Sequence, residues 1–211
     1  MKLVTIGDSI TKGTFTPRNG AIPDNVADPS FSTLLKERLG ADSLVNYGMN
    51  GISYCSRTDT LPEYALARQV EALVPGDVTV LAAGTNDFGT GVPLGTAADR
   101  EDVSFYGAAD LVFRRLREKA PEGRFFVVTP IPRSDYERNR RGLLLDDYRD
   151  ALAAVSRRYD FALVDGRTFP VDPRDPGQRE AYMFDGVHPG PEGHRIYGDW
   201  LFSAMTGGEA L

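Results

Sequence analysis

The chain has 211 residues, 41% hydrophobic and 26% charged, with a formal net charge of −6. That length suits one domain, residues 1–211, with a well-buried core, and the composition is ordinary for a soluble globular protein. The acidic balance argues against nucleic-acid or anionic-membrane partners, because both need a basic face. The local basic runs, Arg114-Arg115 with Arg117 and Arg138 with Arg140-Arg141, read as solvated faces. Met1-Lys2 is followed by too few apolar residues for a signal peptide, and no stretch approaches a membrane span. The single cysteine, Cys55, leaves no intramolecular disulfide. A cytoplasmic location is therefore expected.

In chain order, residues 2–6 form the first predicted strand. Residues 14–29 follow as an irregular stretch rich in proline and polar residues. Residues 30–39 have helical spacing, with Gly40 placed to end the helix. A strand over 44–47 precedes a helix over 61–73, where Thr60-Leu61-Pro62-Glu63 has the form of a capping box. Pro75-Gly76 breaks the chain before a strand over 78–83. Phe105, Ala108, Leu111, Val112 and Leu116 give a helix over 104–119, stopped by Pro121. A strand over 124–129 leads to a helix over 143–158, with Leu144, Leu145, Tyr148, Leu152 and Val155 on its apolar face. The last strand covers 161–164 and the last helix 191–205. Between them, residues 165–193 read as a long loop rich in proline and glycine.

Most of the five strands are near-continuous apolar runs, as expected when both sheet faces are covered. Alternation with helices predicts an α/β fold with a five-stranded parallel sheet between helical layers. In such sheets, binding groups collect at the carboxyl ends of strands. Ser9 follows the first strand, Gly48 the second and Asn86 the third. Asp185 and His188 lie in the long connection after the fifth.

A serine hydroxyl is a weak nucleophile unless a base lies within hydrogen-bond reach and a third group orients that base. The chain has two histidines. His188 has Asp185 three residues upstream, where a tight turn can aim both side chains the same way. His194 has Pro191 at that position and lies in a helical segment, which suits packing or anchoring. Alone, the Asp-x-x-His pair would read as a salt-bridged surface turn. An oxyanion needs preset donors, and the candidates are the Ser9 and Gly48 N–H groups and the Asn86 side chain. Taken singly, Gly48 reads as a turn out of the second strand and Asn86 as a cap.

Taken together, Gly7-Asp8-Ser9-Ile10, Gly48 after Asn46-Tyr47, Gly84-Thr85-Asn86-Asp87 and Asp185-Gly186-Val187-His188 resemble the four sequence blocks of the SGNH hydrolases, the GDSL-type esterases and lipases. Order and spacing match over nearly the whole chain, and Ile10 stands where the first block has leucine. The resemblance implies a three-layer α/β/α, flavodoxin-like fold. It also implies Ser9 as nucleophile, His188 as base, Asp185 as its partner and an oxyanion hole from Ser9, Gly48 and Asn86, with no metal and no cofactor. The G-x-S-x-G elbow of the α/β-hydrolases is absent, since Thr11 stands where its second glycine belongs.

The expected activity is hydrolysis of small-molecule, short-chain esters through an acyl-enzyme, an acetyl group on a sugar among them. Longer-chain lipase or thioesterase action and acyl transfer to an alcohol are the enzymatic alternatives. A ligand-binding protein retaining the fold is the non-enzymatic one. The polar loops favour a short acyl group, although Phe169, Tyr182, Met183 and Phe184 offer material for a small apolar pocket.

Overall fold

The computed structural model describes residues 1–18, 20, 25–56 and 62–207. Strand β1 (Lys2–Gly7) leads through Asp8 into a short helix, α1 (Ser9–Lys12). A small antiparallel ribbon of β2 (Thr14–Phe15) and β3 (Asn25–Val26) follows. Helix α2 (Phe31–Leu39) is capped by the Ser30 side chain and ended by Gly40 at φ 62°. It precedes β4 (Ser43–Gly48).

After α3 (Leu66–Gln69) come β5 (Val78–Ala82), α4 (Thr85–Thr90), α5 (Phe105–Lys119), β6 (Arg124–Val128), α6 (Leu145–Arg158) and β7 (Ala162–Val164). The chain closes with α7 (Pro176–Tyr182) and α8 (Pro191–Thr206). Among the described residues, no helix is long and apolar enough to cross a membrane.

The five main strands are parallel, in the order β4-β1-β5-β6-β7. Their side chains alternate between two cores, as the two-residue period of a strand requires. Val4, Ile6, Leu81, Phe125 and Val127 pack under α3, α5 and α6. Leu3, Val78, Val80, Phe126 and Val128 pack under α2 and α8. The chain steps from β1 outward to β4, then returns across β1 to β5 on its other side. The direction of strand order therefore reverses beside β1, and the carboxyl ends of β1 and β5 border the crevice so formed.

All five predicted strands are present to within a residue at either end. The helix expected over 61–73 is not continuous. Ala65 is extended and bridges Ser53. The Ser53 N–H donates to the Tyr64 carbonyl at 3.0 Å, and the Leu66 N–H to the Ser53 carbonyl at 2.8 Å. Backbone groups that would close a helical turn are thus spent on a neighbouring loop. Thr60 and Leu61 of the expected capping box lie outside the described residues, as do Asn19 and residues 21–24 of the first irregular stretch.

The loop expected over 165–193 holds a 3₁₀ turn, Gly166–Thr168, and α7. Asp175 caps α7 by accepting the Gln178 N–H at 2.9 Å, and Pro176 takes the first helical position, where no donor is lost. No residue of α7 is buried, so no apolar stripe marks it in the sequence.

Candidate active site

At the end of β1 the Asp8 carboxylate accepts the Ile10 N–H at 2.9 Å, capping α1 and turning Ser9 toward the crevice. Three further bonds hold α1, two to the sheet and one to α2. The Thr11 hydroxyl donates to the Ala82 carbonyl at 2.9 Å, and Asn46 Nδ2 to the Thr11 carbonyl at 2.8 Å. The Ser32 hydroxyl reaches the same carbonyl at 3.4 Å. Gly7 allows the closest approach, because a Cβ there would collide with the Ala82 carbonyl.

The partner groups arrive from the other end of the chain. Gly186, at φ 77°, makes the turn that lets Asp185 Oδ1 accept the N–H groups of Val187 at 2.9 Å and His188 at 2.8 Å. Asp185 Oδ2 takes His188 Nδ1 at 2.7 Å and the Thr16 hydroxyl at 2.5 Å. His188 Nε2 lies 2.9 Å from Ser9 Oγ. Ser9, His188 and Asp185 therefore form one hydrogen-bonded line across 179 residues of sequence separation. Such a line can draw the proton from a hydroxyl and hold the resulting imidazolium.

Burial alone would raise the Asp185 carboxyl. The hydrogen bonds from the His188 ring and backbone, the His188 charge and the Thr16 hydroxyl outweigh it and hold the group well below the usual carboxylate range. His194 is fully buried, and its Nδ1 accepts the Phe31 N–H at 3.4 Å. Among the described residues its Nε2 has no partner of hydrogen-bonding geometry, although the Gly13 carbonyl partly favours the charged form. Desolvation, with His188 nearby adding to it, pushes His194 down to about 4. It anchors α8 to α2.

On the opposite side of the crevice, Asn86 lies in the first turn of α4, after Gly84 at φ 112°. Its Nδ2 donates to the Ile52 carbonyl at 2.8 Å, which uses one of two amide hydrogens. Asp87 is fully buried and takes the N–H groups of Tyr54 at 2.9 Å and Cys55 at 3.1 Å. Arg133 Nη1 donates to the Thr85 carbonyl at 2.7 Å and to its hydroxyl at 2.8 Å.

Gly48 is a correction to the sequence reading. Its N–H donates to Asn46 Oδ1 at 2.8 Å, so that amide is already engaged. A Cβ at Gly48 would collide with the backbone of Lys12, and this packing against α1 explains the glycine. The residue passed over is Gly51. It has φ 76° and adjoins Ile52, whose carbonyl holds Asn86, and its N–H has no partner among the described residues. The Asn50-Gly51 pair, a turn signal, marks it in the sequence.

The aromatic residues offered for an apolar pocket also divide. Phe169 and Met183 are buried in the core beneath α8, and Tyr182 packs against it. Phe184 lines a cleft with Arg18, Arg174 and Arg179. Among the described residues, no three His, Cys, Asp or Glu side chains group as metal ligands.

Ser9 thus stands at the switch point of a parallel sheet, hydrogen-bonded to His188, and sequence comparison gives the class. The family model of the GDSL-like lipases and acylhydrolases matches residues 5–196, and the chain belongs to that family. A search of the curated proteins finds no significant match. Among solved structures, a protein of Lactobacillus plantarum is 25% identical with a TM-score of 0.81, covering 96% of this chain and 94% of that one. An aryl esterase of M. smegmatis is 18% identical, with a TM-score of 0.68 and 97% of each chain covered. A carbohydrate acetylesterase of Sinorhizobium meliloti is 15% identical, with a TM-score of 0.67 and again 97% of each chain. At the last two identities the likeness is one of fold.

Asp8 gives a prediction for stability. Burial pushes its carboxyl up from 3.8 to about 6, against the opposing Ile10 N–H and the positive groups nearby. Below about pH 4 the group is neutral in both the folded and unfolded states. Between about 4 and 6 the unfolded chain releases its proton first, so folding is penalised as pH rises, and above about 6 the penalty is constant. A two-unit shift corresponds to about 3 kcal/mol. Asp8→Asn keeps the capping oxygen, so its stability relative to the native chain should rise by up to about this amount between pH 4 and pH 7. Urea unfolding at the two pH values measures it, and an unchanged difference would refute the assignment.

Proposed function

We propose that the protein is a serine ester hydrolase in which Ser9 is the nucleophile, His188 the general base and Asp185 the group that orients it. The observation that carries this reading is the hydrogen-bonded line from Ser9 Oγ through His188 to Asp185. Ser9 Oγ attacks the acyl carbon as its proton passes to His188 Nε2. Asp185 fixes the tautomer that leaves Nε2 free and stabilises the imidazolium. The same proton then goes to the departing alcohol, giving an acyl-enzyme. Water, deprotonated by His188, releases the acid and restores Ser9.

The tetrahedral intermediate places negative charge on the former carbonyl oxygen. The Ser9 N–H at the start of α1, the second Asn86 amide hydrogen and the Gly51 N–H are the donors we assign to it. Gly51 takes the place first expected of Gly48 because its amide is uncommitted and its loop is clamped directly to Asn86.

A short acyl group on a small alcohol or sugar is the substrate class this site supports best. A long chain needs a continuous apolar groove, and the cleft beside Asp185 is walled by arginines and prolines with Phe184 as its aromatic member. The exposed large apolar residues, among them Val26, Val74, Val103 and Leu163, do not extend this wall. The aryl esterase and carbohydrate acetylesterase of like fold are consistent with that class.

A fluorophosphonate probe should label the native protein at Ser9, and Ser9→Ala should abolish both label and ester turnover. Label on another serine with full activity in the variant would end this reading.

Loss of one side-chain oxyanion donor lowers kcat by about 10²–10³-fold. Asn86→Ala should fall in that range with KM little changed, because the interaction is made mainly in the transition state. An unchanged kcat with chemistry rate-limiting would remove Asn86 from the role.

Across p-nitrophenyl esters of rising chain length, each methylene buried in a fitting pocket adds about 0.8 kcal/mol. That gain should stop early here, with kcat/KM highest at acetate or butyrate. A steady increase through octanoate would instead indicate a lipase or long-chain thioesterase.

A further inference from the structure

The connection that delivers Asp185 and His188 also builds the wall of a cleft of about 740 Å³, in which Arg18, Ser134, Arg174, Arg179, Glu180 and Phe184 take part. Three links join this cleft to the Ser9–His188–Asp185 line. Phe184 immediately precedes Asp185. Arg18 follows two residues after Thr16, whose hydroxyl donates to Asp185 Oδ2. The Ser134 N–H donates to the Gly186 carbonyl at 2.9 Å, inside the turn that carries His188.

The charges in the cleft are unbalanced. Arg174 is taken by Asp172 at 2.7 Å. Glu180 forms a loose ion pair with Arg18 at 3.8 Å, beyond hydrogen-bond reach, with both side chains largely in solvent. Arg179 has no ion pair among the described residues. The Arg18 guanidinium lies 5.1 Å over the Phe184 ring, which restricts its orientation. In a chain of net charge −6, a concave surface lined by three arginines and one glutamate, with Arg179 left without an ion pair among the described residues, favours anions locally. A guanidinium fork matches a carboxylate geometrically, which an ammonium does not.

We propose that this cleft is a subsite for a carboxylate carried by the ester substrate, with Arg179 and Arg18 as the residues that determine specificity. The proposal rests on the ester-hydrolase reading and narrows it, because the preferred substrate is then a short ester bearing a negative charge on its acyl or its alcohol part. Glu180 opposes the anion, so its removal should strengthen the preference.

Two matched substrate pairs distinguish the two parts. The acyl pair is mono-p-nitrophenyl succinate against its methyl ester. The alcohol pair is 4-acetoxybenzoate against its methyl ester. The native protein should prefer the carboxylate member of one pair by about 10-fold in kcat/KM, chiefly through KM, as expected for a charged hydrogen bond. Arg18→Gln/Arg179→Gln should lose that preference while hydrolysing the neutral esters at near-native rates. Glu180→Gln should raise the preference, and high ionic strength should diminish it. Thermal melting confirms that these exposed-residue variants fold.

The proposal is overturned if the native protein prefers neither carboxylate, or if the double variant loses charged and neutral substrates equally. Absence of Ser9-dependent hydrolysis of the neutral esters overturns the ester-hydrolase reading as well. Neutral hydrolysis that depends on Ser9 without any charge preference overturns the subsite alone.

Discussion

The Asp185 carboxylate holds the site together, because its two oxygens accept hydrogen bonds from the Val187 and His188 backbones, the His188 ring and the Thr16 hydroxyl. Two of these bonds fix the turn, one fixes the imidazole within it, and one ties the turn to the segment after α1. A carboxylate so bonded stays ionised despite partial burial. Its charge is then available to stabilise an imidazolium, while the same bonds prevent His188 from rotating away from Ser9.

Ser9 is positioned by different means. Its hydroxyl takes its direction from the path of the backbone from β1 into α1, and α1 must lie close against two strands to give that direction. Gly7 and Gly48 are small so that this approach is possible. Thr11 satisfies the buried Ala82 carbonyl, and Asn46 satisfies the Thr11 carbonyl. The polar groups around Ser9 are thus largely structural, and Gly48 belongs with them. The loop after β4 is clamped from the far side through Asn86 and Asp87, which sets Gly51 and the Asn86 amide relative to each other.

The two histidines show how far environment decides chemistry. His194 is sealed between α8 and α2, where desolvation holds it neutral. His188 sits on a turn at the crevice, with a carboxylate on one nitrogen and a hydroxyl on the other. The connection between β7 and α8 serves two purposes in the same way. It carries His188, and with α7 it forms the arginine-lined cleft beside it.

The sequence by itself determined the parallel sheet, since apolar runs covered on both faces and separated by amphipathic helices admit few other arrangements. It also marked Ser9, Asn86, Asp185 and His188, because a strand-end serine and an Asp-x-x-His turn are local patterns. Only the tertiary structure decided what depends on contacts between distant segments. The helix expected over 61–73 gave way to pairing with Ser53, an interaction invisible to any local period. Helix α7 has no sequence signal because a helix with no fully buried residue leaves no apolar stripe. Gly48 ends β4 and Gly51 follows three residues later, and although Asn50-Gly51 signals a turn, nothing local tells which of the two amides is needed for packing and which is left free. That distinction rests on where Asn46, Lys12 and Ile52 come to lie. Thr16 and Arg18 have no motif at all, and they acquire a relation to Asp185 only when the chain folds back across its full length.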